Sequence, residues 1–399
     1  MTGLPDFIVQ NPPLGDPQSP PPYRFDDVGI QMFHVAADGA KLDALCDVFL
    51  NTIAVQNNLP YRIHPLNGSA PGIVNVELLR YGRMYSTAPG HEQMGYSSQN
   101  ELLFSIPVVL TNLFGIPLAV GMFVPQICVD QAFSMITGRE VVGFPKVAGE
   151  FVLPNELWKV DGCVVSTLAA DPYSASSHID FKPLLETRLA TFAPLAPSSS
   201  AFRAARVDPD DNAQLPDEEA RPLWPFGPID ELYGRRDSPY AVDERVLNLL
   251  TQSAGIGLTS YSFKQFRDAE LPDKACYQAL VEGRTDIYQF GAGGLLPATD
   301  ITIHEYASIK IVEQLGLEAQ GTTIKPLFGI WYNADFTLNN LQNLTTRCGG
   351  LVGSPRPPHN CLQIWADSTR SILGFYKGMA EAWIKAIDEI DPCGNGRDR

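Results

Sequence analysis

The sequence predicts an α+β protein built mainly from short antiparallel strands in a barrel-like arrangement, with helices packed outside. Three observations lead there. The 399 residues include 33 Gly and 33 Pro, so turns and irregular connections are frequent. Hydrophobic residues make up 45%, ample material for a large core. Most apolar runs are short, β-compatible and bounded by turn residues, and helical spacing occurs in few places.

Taken in order, residues 1–23 hold Pro12, Pro13, Pro17 and Pro20 to Pro22 and read as an extended arm. Val28 to Val35 reads as a strand. Leu42, Leu45, Cys46, Phe49 and Leu50 follow at the spacing of a helix with one buried face. Ile73 to Tyr81 and Glu101 to Val109 are strands, and Pro107 points to an edge or a strand end for the second. Phe123 to Val129 is extended. Asp130 is placed to cap a short helix, Gln131 to Thr137, which Gly138 should stop. Residues 193–243 change character, with Pro-Ser-Ser-Ser, Asp-Pro-Asp-Asp and Asp-Glu-Glu runs that read as a polar insertion or linker. Strands resume at Leu258 to Phe266, Ala275 to Glu282, Asp286 to Phe290, Ile301 to Ile311 and Leu327 to Leu338, with Gly291 to Gly294 as a turn. The core domain thus spans 24–345, and 346–399 is an extension. Its helix, Leu362 to Ile387, carries Trp365, Ile372, Tyr376, Met379, Trp383 and Ile387 along one face. That stripe suits oligomerisation, although such stripes more often pack on their own domain.

Charge narrows the partners. The 29 basic and 45 acidic residues give a net charge of −16, which repels phosphate backbones and anionic lipid heads. No apolar stretch approaches the ~20 residues that span a bilayer, and the N-terminus lacks a secretory layout. Nucleic acid and membrane are therefore excluded as expected partners. The seven cysteines form no Cys-x-x-Cys pair and read as reduced thiols of a cytoplasmic protein, with a disulfide among Cys348, Cys361 and Cys393 as the lesser reading. The six histidines show no metal-binding spacing, and no phosphate loop or nucleophile elbow occurs, so neither metal nor cofactor is expected.

Lys146 is the residue with chemical promise. It follows Val141-Val142-Gly143-Phe144-Pro145 and precedes Val147-Ala148-Gly149. Burial among apolar neighbours strips water from an ammonium and favours the neutral amine, a nucleophile toward carbonyl carbon. Locally the alternative stands open that Lys146 extends its ammonium to solvent from a strand end. Lys264, between Phe263 and Gln265, is a rival amine expected to face solvent. Gln126 and Tyr96 are candidate inward-pointing groups for substrate binding. Arg139 and Glu140 read as structural support for the Lys146 loop.

A wider pattern favours the nucleophile. Asn100-Glu101-Leu102-Leu103-Phe104-Ser105-Ile106-Pro107, Met122-Phe123-Val124-Pro125 through Val129-Asp130, Gly138-Arg139-Glu140 and Gly143-Phe144-Pro145-Lys146 resemble the acetoacetate decarboxylase family in order and approximate spacing. Phe263 to Asp268, Ala275 to Ala279 and Asp335 to Leu338 look like the second half of its longer members. The resemblance implies a closed, cone-like β-barrel that holds Lys146 as Schiff-base nucleophile, with Glu101 as general acid/base. Acetoacetate decarboxylase is itself a standard example of a lysine activated by desolvation or a cationic neighbour. The implied enzyme is a lysine-imine carbon–carbon lyase acting on a keto acid, in first place a decarboxylase. An aldolase–dehydratase using the same lysine is the alternative, and a non-catalytic small-molecule-binding barrel is the reading from another class. The expected partner is a small carbonyl compound, with a homo-oligomer compatible. Two departures stand out. Val147 replaces the family's second lysine. Where the family places a substrate-holding arginine, this chain has Asp26 or Asp27, with Arg24 nearby as the candidate anchor.

Overall fold

The computed structural model describes residues 18–66, 72–190 and 258–345. Most of the arm, the polar insertion, the C-terminal helix and Cys348, Cys361 and Cys393 lie outside these residues. What is described is mostly sheet with a few short helices, an α+β fold.

Among the described residues, fourteen strands form one connected sheet. In chain order they are β1 (Tyr23–Ala37), β2 (Tyr61–Pro65), β3 (Gly72–Ser86), β4 (Ser97–Asn112), β5 (Pro117–Val129), β6 (Lys146–Val152), β7 (Val164–Ala169), β8 (Asp180–Leu189), β9 (Leu258–Arg267), β10 (Ala275–Leu295), β11 (Thr299–Ile303), β12 (Thr323–Ile324), β13 (Phe328–Leu338) and β14 (Gln342–Asn343). The α-helices among the described residues are α1 (Gly39–Cys46), α2 (Thr52–Gln56), α3 (Ala132–Thr137) and α4 (Ile311–Leu315). The pairings β5–β9–β10–β13–β1–β3–β4 return to β5, so seven strands make a closed circuit of hydrogen bonds. From β5 a second arm leaves through β6, β7, β8, β11 and β12.

Alternation sorts the side chains of the circuit onto two faces. On one, Val129, Glu101, Leu79, Ile30 and Tyr332 lie opposite one another across five strands. The adjacent row on the same face runs Lys146, Ile127, Leu103, Glu77, Met32 and Ile330. This face carries the smaller apolar cluster, including Val28, Ile30, Leu79, Tyr81, Ile330 and Tyr332. The other face, with Phe33, Val35, Val76, Leu78, Leu102 and Phe104, joins the larger cluster that also packs Leu42, Cys46 and Leu50.

Several local expectations are corrected. Pro107 lies inside the sheet, opposite Met122, because pairing with β3 ends at Ser105 and pairing with β2 begins at Val108. Its carbonyl accepts from Leu66 N on that side, so its missing N–H faces the gap between the two strands. The helix after Leu42 is broken by a wide turn at Asp47–Asn51, which rotates Phe49 outward to 38% exposure. Gly291 to Gly294 continue β10, whose ladder to β13 shifts register between Phe290 and Gly293, and Gly294 makes room for Trp331. β11 stops at Ile303; Tyr306 and Ile309 form an isolated bridge, and Ile311 opens α4. Gln131, not Asp130, caps α3, its side chain accepting from Phe133 N. Asp130 instead receives the backbone N and the Nδ2 of Asn100.

Candidate active site

The chain returns from α3 to β6 through an unusual loop. Gly138 is helical (φ −61°, ψ −40°) and does not stop the helix as expected. The turn widens over Gly138–Val142, with Gly143 N and Phe144 N both donating to Gly138 O. Gly143 at φ 86° makes the stop, a left-handed position that suits glycine. A Cβ on Gly138 would sit 2.6 and 2.7 Å from Lys146 Cδ and Cε. Gly138 is thus the space through which the lysine stem passes. Ser262 Oγ donates to Val142 O and Lys264 Nζ to Val141 O, pinning the loop to β9. Lys264, expected at the surface, is half-buried there, and burial lowers its pKa.

Lys146 is 7% exposed and opens β6 on the inner face, so the solvent-seeking alternative does not describe it. Its Nζ donates to Glu101 Oε1 and, at 2.8 Å, to Ser134 Oγ. Glu101 is 3% exposed and also receives Tyr81 OH at 2.8 Å on Oε2 and Gln99 Nε2 at 3.0 Å on Oε1. The carboxylate is therefore held by three side chains, as a buried charge requires. Burial, reinforced by the neighbouring Glu101 charge, raises the Tyr81 phenol well above its usual range, so it stays a hydrogen-bond donor.

Glu77 shares the row of Lys146. It receives Ser105 Oγ at 2.5 Å, and Asn75 Nδ2 donates to Ser105 at 3.2 Å. Burial pushes its carboxyl up to about 7 against the Ser105 bond, making it a second inner group that can hold a proton near neutrality. Sequence reading missed Ser134, Tyr81, Gln99 and Glu77. The signal available was alternation: 77, 79 and 81 share a face, as do 99, 101 and 103, and a polar side chain on an otherwise apolar face is informative.

The remaining candidates are placed apart from the amine. Phe25 packs with tilted rings against Tyr81 and Phe336 inside, so its neighbour Arg24 points to the other face. There Arg24 Nε bonds Asp26 Oδ1 at 2.9 Å, its guanidinium lies 4.5 Å from the Tyr288 ring centre, and Tyr288 and Tyr85 donate to Asp26. Gln126 lies opposite Phe104, on the face away from Lys146. Tyr96 is 61% exposed under Arg83. Arg139 donates to Lys146 O at 2.9 Å, and Glu140 receives Gln18 Nε2. Among the described residues no cluster of His, Cys, Asp and Glu could hold a metal, and no helix is long and apolar enough to cross a membrane.

No curated protein matches the sequence. Among solved structures, an acetoacetate decarboxylase from Legionella pneumophila is 13% identical, aligned over 86% of this chain and 92% of its own, with a TM-score of 0.46. An acetoacetate decarboxylase-like enzyme from Sphingomonas wittichii is 16% identical over 86% and 99%, with a TM-score of 0.44. The enduracididine biosynthesis enzyme MppR, complexed with a condensation product of pyruvate and imidazole 4-carboxaldehyde, is 14% identical over 83% and 92%, with a TM-score of 0.40. A family model does match in sequence, from inside the Pro-rich arm through β7, and so covers Glu101 and Lys146 but none of the second-half motifs. The matching model is that of acetoacetate decarboxylase (ADC), over residues 11–169, and it is the family that the motifs resemble.

Proposed function

We propose that this protein is a Schiff-base carbon–carbon lyase in which Lys146 is the nucleophile and Glu101 the general acid/base. One observation carries the reading: an amine on an enclosed apolar face, held between a carboxylate and a hydroxyl. Transfer of one proton from the ammonium to Glu101 leaves a neutral amine beside a neutral acid, and the amine adds to a carbonyl carbon. The resulting iminium is an electron sink. In a β-keto acid it accepts the electron pair of the bond to the departing carbon dioxide, and an acid then protonates the enamine. The imine itself performs this role, so no cofactor is invoked. In the same reading the seven-strand circuit is a closed, cone-like barrel whose interior is the substrate chamber.

A second use of the imine has an observation in its favour. Arg24, the candidate anchor for a substrate carboxylate, is bonded to Asp26 and stacked on Tyr288 on the other face of the strand. Aldol-type condensation and dehydration on a larger keto acid need the same Lys146 and Glu101 but place the carboxylate elsewhere. Incubation with acetoacetate or pyruvate and sodium borohydride tests the shared step. Mass spectrometry is expected to locate the reduced adduct on Lys146, and Lys146→Arg is expected to abolish both labelling and turnover. Absence of label with either acid, together with unchanged turnover in the variant, points to a binding protein that kept the fold without the chemistry. Carbon dioxide release from acetoacetate separates decarboxylation from the condensation reading.

A further inference from the structure

Ser134 accepts a hydrogen bond from the Lys146 amine, yet neither motif spacing nor the family's Schiff-base chemistry gives it a task. It lies on α3, is 2% exposed, and sits twelve residues before the lysine, brought beside it by the wide turn and Gly143. A neutral amine has two N–H groups and one lone pair. Once a proton has passed to Glu101 the lone pair first faces that acid; a turn of the amine about Cε–Nζ brings it to the open side, where an N–H held by Ser134 fixes the direction in which a carbonyl carbon is attacked.

We propose that Ser134 positions the Lys146 lone pair and relays the proton that must move from nitrogen to oxygen during imine formation. This rests on Lys146 being the nucleophile. Attack forms the C–N bond and sends the carbonyl π pair to oxygen, giving an adduct with a positive nitrogen and a negative oxygen. Ser134 Oγ takes one proton from nitrogen while its own hydroxyl proton passes to the oxygen, so the hydroxyl is regenerated and the carbinolamine is neutral. Glu101, protonated at the outset by the ammonium, then gives its proton to the carbinolamine hydroxyl. Water leaves, the nitrogen lone pair closes the C=N bond, and Glu101 is again a carboxylate beside the iminium. Of the three ammonium hydrogens, one stays on the iminium, one leaves in water through Glu101, and one replaces the Ser134 hydroxyl proton that leaves in the same water. The iminium keeps one N–H for Glu101, so Ser134, now released from that bond, can donate toward the departing water.

The probe is acetylacetone, a neutral 1,3-diketone whose adduct with a lysine amine is a chromophoric enaminone. The full-length protein is expected to form it at Lys146. Ser134→Ala is expected to slow its formation about 100-fold, the size of a lost positioned proton transfer, while thermal melting shows the fold retained. Ser134→Thr, which keeps the hydroxyl, is expected to restore most of the rate. Small general-acid buffers are expected to accelerate Ser134→Ala but not the wild type, a response that a purely structural defect does not give. Equal rates in wild type and Ser134→Ala overturn the proposal. So does an equally slow Ser134→Thr with no buffer response in Ser134→Ala. Absence of the chromophore in the wild type instead refutes Lys146 as nucleophile, and the relay with it.

Discussion

Glu77 shows how burial alone can turn an ordinary strand carboxylate into a titrating element. In Ile73-Val74-Asn75-Val76-Glu77-Leu78-Leu79 nothing local distinguishes it. In the folded chain it is 8% exposed with one hydroxyl donor on Oε1, and its carboxyl is pushed up to about 7 from 4.5. A raised carboxyl pKa means that the folded state binds the proton more tightly than the unfolded state. The stabilising contribution is therefore complete below about pH 4.5 and lost as pH rises through about 7. The full effect is roughly 3 kcal/mol at most. Glu77→Gln mimics the protonated form, so its stability relative to wild type should grow between pH 5 and pH 8. Denaturant unfolding of both proteins across that range measures it. Parallel curves would show that Glu77 does not titrate in the folded state there.

At the scale of the element, the passage from α3 through the wide turn to β6 governs the amine. Its two glycines act differently: Gly143 supplies a left-handed backbone, and Gly138 supplies volume. Gly138→Ala separates geometry from stability. Alanine is favoured over glycine at a helical φ and ψ by up to about 1 kcal/mol, which offsets part of any crowding. The added Cβ nevertheless displaces the Lys146 stem, and a displacement near 1 Å costs about 100-fold in a positioned reaction. The expected outcome is an adduct that forms about 10- to 100-fold more slowly at a nearly unchanged melting temperature. Wild-type rates of enaminone formation in Gly138→Ala would refute this account of the glycine.

Across the whole molecule, the circuit of seven strands is not equally strong around its perimeter. β1 and β3 pair over fourteen positions, whereas β5 and β9 meet in parallel at Met122–Ser260 and Phe123–Tyr261. Parallel pairing is slightly less stable per residue, and two positions give little cooperativity. Local opening should begin at this seam. Hydrogen exchange is expected to show faster exchange for the amides of β5 and β9 that face each other than for those shared by β1 and β3. Equal protection at both places would mean that the circuit opens as one unit.

Much of this arrangement was legible beforehand because it depends on local pattern. Short β-compatible apolar runs marked β1, β3 and β4, and the order of motifs around Glu101, Gly138 and Lys146 carried the family resemblance. The misreadings share a cause. Pro107, Gly138 and the Gly291 to Gly294 run carry local signals for edge, stop and turn, but what lies beside each decides its role: a gap between two strands, a lysine stem, a tryptophan ring. Asp130 likewise has the chemistry of a cap, yet a neighbouring strand supplies Asn100 as a partner.

The sequence by itself determined the class of fold and the amine with chemical promise, since composition, period and motif order are written along the chain. Only the tertiary structure decided what surrounds that amine. The register of four strands places Glu101, Tyr81, Gln99 and Glu77 on the inner face, and the loop after α3 brings Ser134 to Lys146. Arg24 is turned to the opposite face by a register shift between Phe25 and Val28. Pairing across strands far apart in the chain fixes such positions, and no local pattern specifies it.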